Sequence, residues 1–305
     1  MSGRIPVTVL SGYLGAGKTT IINRLLGGTH GVRLGVLVND FGPVNIDAKL
    51  IAAEGDDLIE LSNGCVCCSI GDDLGEVLSK IAARPDKPER LLLEASGVAD
   101  PARIAMLAGH WPGFELDCVI VAVDGETVQA RARDKFVGRL IHTQFQAADM
   151  IVLTKGDLIG PEAEGAVRQW LRTLRSETRV FSAVNGEVPV EILLGEGRRC
   201  APPEVQSEGH VHFTTGVWHP SGPVDCALLG QVLSALPPTI HRVKGFVTDA
   251  ETGASMLIQV VGARCRLTRV DPVADPCLVL IGSGAGKDLD VLYRRFDECL
   301  GQGGG

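Results

Sequence analysis

The 305 residues are 45% hydrophobic and 22% charged, an ordinary globular balance with room for two domains. A formal net charge of −8 with no long basic run argues against nucleic acid as a partner. No apolar run approaches the ~18 residues needed to span a bilayer, so no membrane partner is expected. Residues 1–6 lead straight into an apolar run, so no export signal is expected and the expected compartment is cytoplasmic. In that reducing setting the nine cysteines are expected as thiols, metal ligands or core residues, not as a disulfide framework.

The first element is the apolar run Val7-Thr8-Val9-Leu10, read as a strand. It opens onto Gly12-Tyr13-Leu14-Gly15-Ala16-Gly17-Lys18-Thr19 and then a helical pattern from Thr20 to Leu26. Strand, glycine loop and helix match the phosphate-binding pattern G-x-x-x-x-G-K-S/T at every fixed position. Backbone N–H groups of Gly12, Gly15, Ala16 and Gly17 can turn around phosphate oxygens at the positive end of a helix. Lys18 is placed to reach the β and γ phosphates, the Thr19 hydroxyl to hold Mg²⁺, and Thr20 to line the same turn. A nucleoside triphosphate ligand is expected.

The strand at 34–38 is followed by Asn39-Asp40-Phe41-Gly42-Pro43-Val44-Asn45-Ile46-Asp47, where a switch segment would lie. On local grounds this is a loop rich in turn formers. A strand at 58–61 leads into Asn63-Gly64-Cys65-Val66-Cys67-Cys68-Ser69. Three thiols within four residues suit a soft or borderline ion such as Zn²⁺, Co²⁺ or Cu⁺. A closed structural zinc site uses four ligands, so a fourth must come from elsewhere, from water or from a partner.

After a helical pattern at 72–83, the strand Leu91-Leu92-Leu93 ends in Glu94, with Gly97 three residues later. A carboxylate there orders the Mg²⁺ shell, and the glycine N–H meets the γ-phosphate. A strand at 118–123 and one helical pattern over 128–146 precede the strand 150–154, which ends in Thr154-Lys155-Gly156-Asp157. This resembles the N-K-x-D guanine element of GTPases, with Thr154 in place of Asn. The Asp157 carboxylate accepts from guanine N1–H and N2–H₂, which adenine does not offer together, and the Lys155 stem lies along the base. A helix at 163–174 and a strand at 179–182 follow, and Ser182-Ala183 weakly resembles the pair that meets guanine O6.

Repeated strand–helix alternation, with runs apolar on both faces, predicts an α/β P-loop NTPase with a mostly parallel sheet over 1–195. Ligands of such sheets bind at the carboxyl ends of strands. Residues 196–208 read as a linker, 209–301 as a smaller α+β domain, and 302–305 as a disordered tail. In the smaller domain β-like stretches fall at 210–218, 241–248, 256–270 and 277–281, and helical ones at 225–236 and 287–300. If 210–218 is a strand, His210 and His212 share one face, which is a candidate metal pair but is more often a solvated strand face. Gly282-Ser283-Gly284-Ala285-Gly286-Lys287-Asp288 imitates a second phosphate loop, but Ile281 stands at its first glycine and Asp288 at its hydroxyl. It is read as a strand-to-helix turn.

Taken together, these motifs resemble the CobW-type GTPases, relatives of the urease and hydrogenase nickel-insertion GTPases. The likeness extends through Glu94-Ala95-Ser96-Gly97-Val98-Ala99-Asp100-Pro101, Asn39-Asp40-Phe41-Gly42 and His241-Arg242-Val243-Lys244-Gly245-Phe246. The resemblance implies a GTPase that uses GTP and Mg²⁺; no catalytic arginine or glutamine is evident by spacing, so intrinsic turnover is expected to be slow until a partner supplies or orders such groups. The resemblance also implies a cargo metal, zinc or cobalt, on Cys65, Cys67 and Cys68 with Asp40 as an acidic ligand, and a client apo-metalloenzyme as partner. Pro43 stands where many members carry a second switch acid, and no histidine-rich tract is present, which favours a single metal site. Two alternatives remain open: an assembly factor for one enzyme, in cobalt insertion or nitrile hydratase activation, and a small-molecule kinase with structural cysteines.

Overall fold

The computed structural model describes residues 4–28, 32–38, 58–60, 72–176, 178–195, 213–262, 264–283 and 286–301. Asp40, the 39–47 segment, Cys65, Cys67, Cys68, His210, His212, the linker and the tail lie outside the described residues. The chain divides into two compact units, Met1–Ser176 with Val180–Leu194, and Glu177–Arg179 with Gly195–Gly305.

The first unit carries seven described strands: β1 (Ile5–Ser11), β2 (Leu34–Val38), β3 (Leu58–Glu60), β4 (Arg90–Glu94), β5 (Phe114–Asp124), β6 (Met150–Thr154) and β7 (Arg179–Ala183). They form one sheet in the order β3-β2-β4-β1-β5-β6-β7. From β3 through β6 every pairing is parallel. Strands β2, β4 and β6 are buried at all five positions, so they need apolar side chains on both faces. The order reverses around β1, which pairs with β4 on one side and β5 on the other. That reversal opens a crevice at the carboxyl end of β1, where the glycine loop leaves the sheet.

Described helices of this unit are α1 (Lys18–Gly27), α2 (Asp72–Ala83), α3 (Pro101–His110), α4 (Val128–Ala132), α5 (Gly138–Ala147), α6 (Gly156–Leu174) and α7 (Val190–Leu194). Leu74, Leu78 and Ile81 of α2 join Leu37, Leu91, Leu93, Val119 and Val121 of the strands in one buried core. Three expectations change here. The single helix over 128–146 is two, because the Asp134 side chain accepts from Phe136 N at 2.7 Å and Val137 N at 3.1 Å. That local bonding offers the backbone an alternative to continuing the helix. The helix expected from 163 starts at Gly156, with a kink at Gly160 (φ 77°) ahead of Pro161. Helix α3 was not anticipated; its signal was Asp100, whose side chain accepts from Ala102 N at 3.0 Å, followed by proline at the first helical position.

The second unit holds an antiparallel sheet in the order β11-β10-β9-β12-β8. Its strands are β8 (Phe213–Trp218), β9 (Ile240–Thr248), β10 (Ser255–Val261), β11 (Arg264–Arg269) and β12 (Cys277–Ser283), with helices α8 (Cys226–Ser234) and α9 (Gly286–Asp297). The single stretch expected over 256–270 is a hairpin, turning at Gly262 (φ 59°). The false phosphate loop joins the end of β12 at Ser283 to the start of α9 at Gly286. Ser283 Oγ lies 2.8 Å from His241 Nε2, and Asp288 accepts from the Thr239 hydroxyl. Cys118, Cys226, Cys265 and Cys299 lie outside any disulfide. Burial and the Asp249 carboxylate push the Cys226 thiol up to about 12, so it stays protonated. No helix among the described residues is long and apolar enough to cross a membrane.

Gly245 explains one part of the C-terminal resemblance. It sits mid-strand in β9 at φ 156°, opposite Ile258 and Leu278, and a Cβ there would fall 1.9 Å from Cys277 O. Gly245→Ala is therefore expected to destabilise the second unit by about 2–4 kcal/mol. Thermal unfolding of the variant beside the unmutated protein checks this.

Candidate nucleotide site

Strand register brings the polar groups to one edge. Leu10 pairs with Glu94, Val38 pairs with both Glu94 and Glu60, and Asp124 pairs with Thr154. The glycine loop begins where β1 ends. Gly12 adopts φ 138°, and a Cβ there would lie 2.3 Å from Ala122 O, so no other residue fits without moving β5. Gly15 and Gly17 follow at φ 76° and 86°. Lys18 is buried, and its Nζ donates to Gly12 O at 2.8 Å, which carries the ammonium across the loop. Ala16 is buried, Thr19 half-buried and Thr20 exposed at the start of α1.

Glu94 ends β4 at 1% exposure, and the Gly97 turn follows it. A Cβ on Gly97 would meet Leu14 N at 2.8 Å, so this turn rests directly on the glycine loop. A buried carboxylate and a helix-terminal hydroxyl, from Glu94 and Thr19, are the hard oxygen donors that Mg²⁺ takes.

The base end is built from β6. Thr154 Oγ1 lies 2.9 Å from Ala16 O and 3.1 Å from Val123 O, sharing its one proton between them. Thr154, which stands in place of Asn, thus ties this motif to the phosphate loop. Lys155 turns the chain at φ 58°, and Asp157 stands exposed in the first turn of α6. Behind them, Glu164 and Arg168 hold Ser182: Arg168 Nη2 donates to Ser182 Oγ at 2.6 Å, and that hydroxyl donates to Glu164. The Ser182 hydroxyl is therefore engaged within the protein. The loop after β7 closes on α1, because Gly186 at φ 73° leaves only 2.9 Å between a Cβ and the Thr20 backbone.

Three residues of this region carried no role in the sequence reading. Asp124 ends β5 as Glu94 ends β4, so the same strand-end logic applied to it. Its Oδ2 accepts from Lys155 Nζ at 2.9 Å. Arg131 donates to Leu14 O at 2.7 Å and lies 4.9 Å from the Tyr13 ring centroid, clasping the tip of the loop. No spacing pattern marked it. Gln144 shares the buried stripe of α5 with Ile141 and Phe145, and a polar residue on an apolar stripe was its signal.

A phosphate loop, a strand-end acid followed by Gly97, and a T-K-x-D turn on one parallel sheet define a P-loop GTPase. Comparison with known proteins narrows the class. The CobW/HypB/UreG nucleotide-binding domain matches residues 6–182, and the cobalamin synthesis protein cobW C-terminal domain matches residues 213–300. The chain belongs to the CobW/HypB/UreG family. Zinc chaperone CobW of Sinorhizobium sp is 34% identical over 308 residues, covering 86% of this chain and 86% of that protein. Zinc chaperone YjiA of Escherichia coli is 34% identical over 218 residues, covering 68% of this chain and 67% of its own. The crystal structure of Zn(II)-bound YjiA GTPase from E. coli aligns at 23% identity with a TM-score of 0.45, over 98% of this chain and 100% of that one.

The Asp124–Lys155 pair sets a test of the base end. Burial pushes the Asp124 carboxyl up, but the Lys155 ammonium and the Glu126 N–H outweigh it and hold the carboxyl below its ordinary value. A depressed carboxylate pKa means the pair's contribution is complete above the ordinary Asp value and is lost as pH falls through the lowered one. Lys155 is 37% exposed, so water screens part of the pair. Asp124→Asn is expected to weaken guanine-nucleotide affinity about fivefold at neutral pH, read by nucleotide titration.

Proposed function

We propose that this chain is a GTP-gated metallochaperone that carries zinc, or cobalt, on Cys65, Cys67 and Cys68 with Asp40, and delivers it to a client apo-metalloenzyme. One observation carries the reading. Val38 stands in register between Glu94 and Glu60, with adjacent strands ~4.8 Å apart. The acid of the nucleotide site and the two chain exits therefore share one edge. Asp40 follows Val38 by two positions, and Cys65 follows Glu60 by five, a reach of at most ~17 Å. The names of relatives support zinc as cargo. They include two zinc chaperones, and the zinc-regulated GTPase metalloprotein activator 1 of Dictyostelium discoideum, 30% identical over 232 residues.

In this reading the backbone N–H groups of Gly15, Ala16 and Gly17 cradle the phosphates, and Lys18 moves from Gly12 O to the β and γ oxygens. Thr19 and Glu94 would hold Mg²⁺, which would supply charge neutralisation on those oxygens. Gly97 N–H meets the γ-phosphate, and Asp157 with Lys155 selects guanine. Loss of the γ-phosphate changes the contacts made at the Val38–Glu94–Glu60 edge, and with them the affinity of the thiol site. Linkage requires the converse: bound metal alters GTP affinity by the same factor.

Two measurements test this. Cys67→Ala with Cys68→Ala is expected to abolish tight zinc binding in a chelator-competition titration; unchanged affinity refutes the thiolate assignment. The unmutated protein is expected to prefer GTP over ATP, and Asp157→Asn to reduce that preference at least tenfold, about the cost of one charged hydrogen bond. Equal affinity for both nucleotides in the unmutated protein refutes the guanine assignment.

A further inference from the structure

We propose that Gln144 is a positioning residue for GTP hydrolysis, fixing the turn that presents the Gly97 N–H to the γ-phosphate. The inference rests on the assignment of Gly97 made above. Gln144 lies in α5 at 1% exposure, so water does not satisfy its amide. Its Nε2 lies 3.1 Å from Gly97 O and 3.4 Å from Ala99 O. Both partners are carbonyls, so only the NH₂ end of the amide can face them, and its two N–H groups match the two acceptors.

The turn has a third fixed oxygen. Ser96 O accepts from Ala99 N at 2.9 Å. In a trans peptide the N–H points opposite to the carbonyl of the preceding residue. Ser96 O is bonded within the turn, so the Gly97 N–H faces the other way. Gln144 holds the Gly97 and Ala99 carbonyls and restrains the Gly97–Val98 and Ala99–Asp100 peptides from rotating. Gly97 rests against Leu14 N, where an added Cβ would stand 2.8 Å away, so its position is set against the phosphate loop as well. Losing the two amide donors would leave two carbonyls without them and free the turn to flip. The donor for the γ-phosphate would then be misaimed while the glycine loop stayed in place.

Gln144→Met tests this. Methionine has a similar volume and no donor, and the adjoining cavity of about 20 Å³, lined also by Phe145, Tyr13 and Ala16, gives its flexible end room. The prediction is a kcat for GTP about tenfold lower and a GTP-to-GDP affinity ratio reduced by a similar factor, with GDP affinity within about twofold of the unmutated protein. Equal weakening of GDP and GTP marks a merely structural residue and overturns the proposal; so does an unchanged ratio with unchanged kcat. Should Gln144→Met fail to fold, Gln144→Glu replaces it. A protonated glutamate donates to one carbonyl, and burial raises its pKa, whereas the ionised form repels both oxygens. The kcat of Gln144→Glu relative to the unmutated protein is expected to fall as pH rises from 5 to 8; a flat ratio overturns the proposal. If the unmutated protein itself binds GTP and GDP equally, the assignment of Gly97 fails, and this inference fails with it. If it discriminates and neither variant alters that, only the role of Gln144 is lost.

Discussion

The hydroxyl of Thr154 lies within 3.1 Å of two carbonyls, one in the glycine loop and one at the end of β5. One proton serves both, so neither bond is strong alone. Their value lies in position. They tie the strand that ends in the base-recognition turn to the loop that takes phosphate, inside a region where an unsatisfied carbonyl is costly. Gly12 makes the arrangement possible, because its backbone approaches Ala122 where a side chain has no room.

The parallel sheet was legible because its strands are buried on both faces. Val36-Leu37-Val38 and Leu91-Leu92-Leu93 have no polar alternation, and only a covered sheet accommodates that. Helix breaks were less legible. Residues 128–146 keep helical spacing across Asp134, and only the side-chain bonds of that residue to Phe136 N and Val137 N interrupt it. Spacing reports which faces are apolar; it does not report a competing local hydrogen bond. The same limit applies to 256–270, where β-forming residues continue on both sides of the turn at Gly262.

The site divides in a similar way. Lys18, Glu94 and Asp157 could be proposed from sequence because phosphate, metal and guanine chemistry each demand one residue type at a strand end or helix start. Asp124, Arg131 and Gln144 act on the protein rather than on the ligand, and residues in that role have no fixed spacing to a motif. Arg131 reaches Leu14 across 117 positions of sequence, and Gln144 reaches Gly97 across 47. Such contacts exist only once α4 and α5 have folded against the crevice. The departure at Thr154 is the opposite case. Its hydroxyl lies 2.9 Å from Ala16 O, so the residue that departs from the motif is itself bonded to the glycine loop.

These contacts also bear on where hydrolysis can be felt. The glycine loop is held by Thr154 and by Arg131, and the Gly97 turn by Gln144. A ligand shifts an equilibrium only through contacts that differ between two states. In the proposed function, the differential contacts are assigned to the chain beyond Val38, whose register partner is Glu94. That chain carries Asp40 in sequence, and the next strand leads to the thiols. A coupling of only ~1–3 kcal/mol between γ-phosphate and metal changes metal affinity by about 5–150-fold. That range would be enough for the proposed chaperone to hold an ion in one nucleotide state and yield it in the other.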